Sequence, residues 1–321
     1  MTKANLAYLG RRLLQAVVVL WASYTLTFII LHLLPSDPMQ TILQSRGQDD
    51  ASAQEIAALA HQYGLDRPVL VQYAAMMLAA LHGDLGVSYM QGESVSGLIA
   101  SRLGMTLGVS LLAIALAVVV AFGLAFLAAY TRHPALRGLL GFVPNVTISV
   151  PIFWVGLLLM QVFSFSLGWL PAMGADGWET MVLPVVTMSI PPAALLGRML
   201  MNGFDEALAS PFITAARARG LGRGRLVLRH VVKNGSLPAF TVLGMIVGST
   251  VTGAIVAETV FSRQGVGMLI QQSVQAQDIP VVQGCVLLAA AAFVVINLAV
   301  DMIYPVFDPR IIVRTAGKER S

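Results

Sequence analysis

Six stretches without a single Asp, Glu, Lys or Arg constrain this chain more than any other feature: Leu13–Pro35, Leu103–Tyr130, Gly138–Ala175, Thr180–Gly197, Leu237–Ala257 and Ile279–Val300. A helix crosses the hydrocarbon core with about 20 mostly apolar residues, so each stretch predicts one span. The expected fold is all-α and integral to the membrane, with six transmembrane helices. The third stretch also has room for a return toward the membrane around Leu167, Trp169 and Trp178, aromatic residues suited to the interface. The fourth is shorter, and Pro184, Pro191 and Pro192 predict an interrupted helix there. Composition points the same way: 57% of the 321 residues are hydrophobic and 11% charged, against about 45–50% and about 25% in soluble domains. The first stretch is too long for a signal-peptide core and precedes no small-residue cleavage site, so it is expected to remain as the first helix.

Charge orients the spans. Segments 1–12, 131–137, 198–236 and 301–321 hold 16 of the 20 Lys and Arg with 5 acids, a net of +11. Segments 35–102, 176–179 and 258–278 hold 4 basic and 11 acidic residues, a net of −7. Basic loops stay on the cytoplasmic side, so both termini are expected there. The basic excess is topological and does not signal nucleic-acid binding.

Several chemistries are excluded by residue inventory. Cys285 is the only cysteine, which rules out an intrachain disulfide and a thiol metal cluster; His32, His61, His82, His133 and His230 have no metal-site spacing. No metal is assigned. A phosphate-binding loop needs Gly followed by Lys and Ser or Thr, and the single Gly-Lys pair, Gly317 and Lys318, is followed by Glu319. Paired carboxylates or a nucleophile with its base do not occur together on one membrane face, so no membrane enzyme is read here.

Between the first two spans lies an outer segment, 36–102, with helical signals. Ser52 and Glu55 form a capping-box pattern, Ile56, Leu59, Ala60 and Tyr63 recur on one face, and Gly64 stops the run. A second helix follows Asp66 and Pro68, with Val69, Leu70, Tyr73, Met76 and Met77 on one side before Gly83. Both are expected to lie over the mouth of the bundle, either as a docking platform or as a loop that only packs.

The long inner connection reads RMLMNGFDEALASPFITAARARGLGRGRLVLRHVVKNGSLP from Arg198 to Pro238. Asp205 and Glu206 are expected to open a short helix and the later arginines to close it, as its dipole favours. Ala215, Ala216 and Ala218 would let that helix lie close to a partner, and Gly220 and Gly222 would break it. From the residues alone it is either a retention loop or the place where another protein pushes. Gly244, Gly248 and Gly253 allow close packing in the fifth span, while Pro144, Pro151, Pro184, Pro191 and Pro192 can kink the third and fourth helices and free carbonyls toward a cavity, so the path is expected along spans three to five.

The stretch TAARARGLGRGRLVLRHVVKNGSLP resembles the EAA loop of ABC-importer permeases, in the longer form of the dipeptide, oligopeptide and nickel branch. Thr214 stands where the general pattern has Glu, which is usual in that branch. RRLLQAVVVLWASYTLTFIILHLLPSDP, SVPIFWVGLLLMQVFSFSLGWLPAMG, GAIVAETVFSRQGVGMLIQQSVQAQDIPVVQG and NLAVDMIYPVFDPR are similar to its B-type subunit in the same order. The resemblance implies a type I importer permease fold with a cytoplasmic coupling helix. Asp205, Glu206, Thr214, Ala215, Ala216, Arg217, Arg219, Gly220, Leu237 and Pro238 would then serve ATPase coupling. It implies a second homologous permease, two cytoplasmic ATPase subunits carrying ATP and Mg, an extracytoplasmic solute-binding protein, and no cofactor in this chain. Di- and oligopeptides lead as cargo, with nickel or metal chelates as the alternative. A secondary transporter or channel is the rival class, but only His32 joins the acids as an ionisable group inside a span.

The resemblance also implies an outer gate around Glu258, Phe261, Gly265 and Gly267, while an ion pair with Arg263 is the plainer reading of Glu258. Asp301, beside Asn297, is read as a structural hydrogen-bonding residue. The organisation is then 1–35 as tail and first span, 36–102 as outer segment, 103–310 as transport core with coupling loop 201–236, and 311–321 as a cytoplasmic tail, in the inner membrane of a prokaryote.

Overall fold

The computed structural model describes residues 3–33, 39, 42–43, 52–174 and 177–307. These form α1 Lys3–Leu33, α2 Ala53–Tyr63, α3 Val69–Leu81, α4 Val95–Tyr130, α5 Pro134–Ser149, α6 Ile152–Ser166, α7 Glu179–Ala209, α8 Pro211–Ala218, α9 Arg223–Gly235, α10 Leu237–Val260, α11 Val266–Gln275 and α12 Ile279–Phe307. The end of α6 and the middle of α9 widen into π-helical turns at Met160–Ser166 and Val227–Val231. α1, α4, α7 and α12 are long and apolar enough to cross a membrane. Counting each bent pair, α5–α6 and α9–α10, as one span makes six. Pro35 and the tail 311–321 lie outside the described residues, as does the side chain of Asp301.

The kink expected at Pro151 is a sharp break: α5 and α6 meet at 104°, where Val150 is extended and Pro151 caps α6, while Pro144 lies inside α5. A residue before proline is driven out of the helical region, which explains the break. The fourth span is not interrupted: α7 runs 31 residues through Pro184, Pro191 and Pro192. Each proline withholds an amide from the carbonyl four residues back, those of Thr180, Thr187 and Met188. The side-chain bonds inside the helix, Thr187 Oγ1 to Leu183 O at 2.8 Å and Ser189 Oγ to Val186 O at 2.7 Å, go to other carbonyls.

The chain divides into two packed units. One comprises residues 1–106 and 264–294. Its core joins Val95, Leu98 and Ile99 of α4 to Val266 and Leu269 of α11 and to Val281 and Cys285 of α12. Ser52 and Glu55 make the expected capping box on α2, and Gly64 ends that helix with φ +69°. Residues 84–94 form a tight hairpin-like loop with a bridge between Val87 and Ser94.

The other unit comprises residues 107–263 and 295–321. On α4, Ala113, Ala117, Ala121, Ala125 and Ala129 recur every four residues and are all buried. That smooth stripe lets α7 approach until a methyl group on Gly197 would sit 3.7 Å from Ala121 Cα. In lipid, where hydrophobic drive between helices is absent, such close backbone packing holds spans together. Leu196, Leu200 and Phe204 of α7 complete the cluster with Leu226, Val227 and Val231 of α9. Among the described glycines, Gly203 and Gly235 approach most closely, between α7 and α9. Gly253 is looser, with Met188 Cε 4.0 Å from an added methyl.

Candidate functional site

The residues expected to serve coupling separate into two structural groups. Asp205 and Glu206 do not open the short helix; they lie in the last turns of α7. Asp205 instead accepts a hydrogen bond from Arg137 Nη2 in a half-exposed ion pair, a type that contributes little stability in water. The chain leaves α7 through Ser210, whose extended backbone caps α8 and whose hydroxyl donates back to Ala207 O. Pro211 then starts α8, a position where its missing amide costs nothing.

α8 carries Thr214, Ala215, Ala216 and Arg217. Ile213 is fully buried in the cluster built by α4, α7 and α9, and Ala216 packs against the same cluster. Ala216 therefore faces the chain's own core rather than outward. Phe212, Thr214, Ala215 and Ala218 are exposed, and Phe212 retains 44% of its surface. Sequence reading missed Phe212; its exposure depends on which face Ile213 buries, and over eight residues periodicity does not decide that.

The helix ends as the glycine predicts. Gly220 has φ +80°; its amide donates to Arg217 O at 2.9 Å and the Leu221 amide to Ala216 O at 3.4 Å. These two bonds form a Schellman ending, which requires a left-handed residue there. Gly222 plays another role, capping α9 with φ −63°. Arg223 reaches back to the end of α4, where Nη2 donates to Ala129 O at 3.1 Å and Thr131 O at 2.7 Å. Helix ends leave carbonyls without partners, so one guanidinium ties the segment after α8 to a span. Arg132, Arg217 and Arg223 line a recess of 290 Å³ with Leu208, Leu221 and Leu226. Leu237 and Pro238 open α10, again with proline in the first turn.

Of the outer candidates, Glu258 and Phe261 lie at the end of α10, 1% and 2% exposed. Phe261 packs on Met160 and Leu183. The turn beyond uses Ser262 at φ +52°, with the Arg263 amide donating to Glu258 O at 2.8 Å. Arg263 is itself buried, and its Nη1 donates to Gly174 O, Thr180 O and Thr180 Oγ1. Burial lowers its pKa and the nearby Glu258 charge opposes that shift. Gly265 caps α11 and Gly267 is buried within it; the Val266 amide donates to Thr106 Oγ1 at 2.8 Å.

One acid went unmarked in the sequence. Asp278, at the foot of α12, is 1% exposed and accepts hydrogen bonds from Ser88 Oγ, the Tyr89 amide and the Met90 amide. Among the described residues, no three His, Cys, Asp or Glu side chains are placed to hold a metal ion.

Residues 5–111 match the N-terminal region, and residues 121–313 the main region, of the binding-protein-dependent transport system inner membrane component. The glutathione transport system permease protein GsiC of Salmonella paratyphi A is 38% identical over 307 residues, covering 95% of this chain and 99% of that protein. The dipeptide transport system permease protein DppB of Alkalihalophilus pseudofirmus is 34% identical with the same coverage. A solved structure of the MetNI methionine ABC transporter in inward-facing conformations shares the fold. Its TM-score is 0.53 at 16% identity, over 65% of this chain and 96% of that one. The chain belongs to the binding-protein-dependent transport system inner membrane component family and is a permease subunit of an ABC importer.

Proposed function

We propose that this permease moves di- and oligopeptides inward by alternating access, with ATP and Mg bound and hydrolysed on two separate cytoplasmic ATPase subunits. A second homologous permease completes the channel, and an extracytoplasmic solute-binding protein delivers cargo. Both termini lie in the cytoplasm of a prokaryote, as the distribution of basic residues favours. The observation that carries the cargo reading is the near full-length similarity to permeases named for glutathione and for dipeptides, both short peptides.

Coupling runs through α8 in this reading. Phe212, Thr214, Ala215 and Ala218 meet the ATPase, Ile213 and Ala216 fix the helix to the spans, and Gly220 sets its end. Arg223 carries displacement to the end of α4. Glu258 and Phe261, with Gly265 and Gly267 in the following segment, serve the outer gate.

The test is uptake of a labelled dipeptide into proteoliposomes holding the permease pair, ATPases and binding protein. Wild type should accumulate the dipeptide only with ATP and binding protein present. Ala215→Trp should accumulate normally in the membrane yet lose the ATPases and uptake, whereas Ala216→Trp should lower abundance by overpacking the permease's own core. Normal uptake by Ala215→Trp with the ATPases bound would remove the coupling assignment. Failure of wild type to take up any dipeptide would remove the cargo assignment.

A further inference from the structure

The apolar helix α3 is too short to cross a membrane, yet it packs against α1 within the stretch of that helix long and apolar enough to cross one. Its 13 residues span about 20 Å at 1.5 Å per residue. Tyr73, near its middle, shares a 2.6 Å hydrogen bond with Thr25 of α1 and contacts the rings of Tyr24 and Phe28. The charge-free part of α1 starts at Leu13 after Arg11 and Arg12, and the helix ends at Leu33. That run covers about 30 Å, matching the hydrocarbon thickness. Thr25 precedes Leu33 by eight positions, so it lies about 12 Å below the outer end of the span.

The chemistry of α3 suits that depth. Residues 68–81 contain no Asp, Glu, Lys, Arg or His. Both polar side chains make internal hydrogen bonds: Tyr73 with Thr25, and Gln72 by donating to Arg67 O at 2.8 Å. Carbonyls at the helix end are covered too. His82 Nδ1 pairs with Leu78 O at 2.8 Å, the Asp84 amide donates to Ala79 O at 3.0 Å and the Gly83 amide to Ala80 O at 3.0 Å. Hydrocarbon favours such pairing of polar groups within the protein. Leu70, Val71, Leu78 and Leu81 nevertheless stay exposed, by 46% to 81%.

We propose that α3 is a half-membrane helix sunk in the outer leaflet, entering and leaving on the same side, with Leu70, Val71, Leu78 and Leu81 against acyl chains. Lipid is favoured over a soluble docking partner because the contact with α1 lies about 12 Å below the end of the span, beyond the reach of a protein bound at the surface. The naming of the leaflet rests on the topology proposed above; the insertion does not.

Site-directed nitroxide labelling tests it, on the assembly in which the chain is extracted from its membrane and placed in phospholipid nanodiscs. Labels go on Leu78→Cys and, as a water-facing reference, on His61→Cys of α2. Wild type, whose Cys285 is fully buried, sets the background. Oxygen, which partitions into lipid, should relax the Leu78 label more than a water-soluble nickel chelate does, and the His61 label should show the reverse. A Leu78 label relaxed mainly by the chelate would place α3 in water, and one shielded from both reagents would place it beneath a protein. Either result overturns the proposal, and neither depends on the cargo.

Discussion

Arg263 supplies the hydrogen bond that Pro184 withholds. In an unbroken α7 the amide at position 184 would donate to Thr180 O; proline has none, and Arg263 Nη1 donates to that carbonyl at 3.0 Å. The same nitrogen lies 3.2 Å from Gly174 O and 3.0 Å from Thr180 Oγ1. A buried cation is costly unless such partners surround it, so the turn after α10 and the start of α7 stabilise each other.

The first prediction is therefore a coupled pair. Arg263→Met should cost about 1.5–3 kcal/mol, the worth of hydrogen bonds to a charged group. In a Pro184→Ala background the alanine amide reaches Thr180 O, and the same substitution should cost measurably less. Thermal unfolding of the four proteins in nanodiscs reads the interaction. Additivity within about 0.5 kcal/mol would mean the two positions are independent.

Gly203 and Gly235 yield the second prediction. A methyl group on Gly235 would lie 2.6 Å from Gly203 O, and one on Gly203 would overlap the Gly235 carbonyl. These are backbone atoms, so no side-chain rotation relieves the clash. Gly203→Ala and Gly235→Ala should each destabilise by about 1–3 kcal/mol, as overpacking does, lowering abundance in the membrane. Gly253→Ala, whose added methyl would only reach ordinary contact with Met188 Cε at 4.0 Å, is the control that should accumulate normally.

Much of the fold was legible because lipid simplifies the code: charge-free runs located α1, α4, α10 and α12, and Leu237 and Ile279 are the first residues of the last two. Proline was legible at Pro151, where a kink is expected and found, but not in α7. The same residue breaks the chain at Pro151, where Val150 turns extended, and leaves α7 whole at Pro184, where a donor 79 positions later takes the carbonyl. Local sequence holds no trace of that donor. The end of α8 was legible, since Gly220 is a local signal, but which face of α8 is buried was not, because Ile213 meets residues of α4, α7 and α9. Asp278 escaped notice for the same reason: its partners at Ser88, Tyr89 and Met90 lie about 190 positions away.

The capping box on α2 predicts a pH effect. Glu55 Oε2 accepts from the Ser52 amide and hydroxyl, both at 2.8 Å, and the backbone bond first, then the hydroxyl, lowers its pKa. A depressed carboxylate stabilises above the unfolded pKa of about 4.3 and loses that contribution as pH falls through the lower folded value. Amide exchange at Ile56 should accelerate, beyond the intrinsic pH dependence, only on going below about pH 4. Glu55→Gln keeps an acceptor but cannot titrate, so it should abolish the step; a step that persists would assign it to another group.

Asp278 is predicted to anchor the hairpin-like loop 84–94 to the foot of α12. The loop is held internally by Ser88 N donating to Glu93 O and Val95 N to Gly86 O, with Gly86 and Gly92 at φ +84° and +69°. Those bonds shape it and join it to the start of α4, but neither reaches α12. Attachment to α12 comes from the carboxylate, which receives the Tyr89 amide at 3.0 Å, the Met90 amide at 3.3 Å and the Ser88 hydroxyl. Gln277, at φ +55°, turns the chain so that Asp278 points there rather than continuing α11. Asp278→Ala strands two buried donors and a partly buried third, at about 1–3 kcal/mol for each donor left buried without a partner. Asp278→Asn keeps one acceptor oxygen but aims an amide group at backbone donors, so its loss should be smaller without vanishing. Limited proteolysis should cut Asp278→Ala within 84–94 before any other part of the chain, with Asp278→Asn intermediate and wild type resistant. A loop in Asp278→Ala as resistant as wild type, at an unchanged melting temperature, would show that packing of Tyr89 against Leu31, Ile42 and Ile279 holds it without the carboxylate.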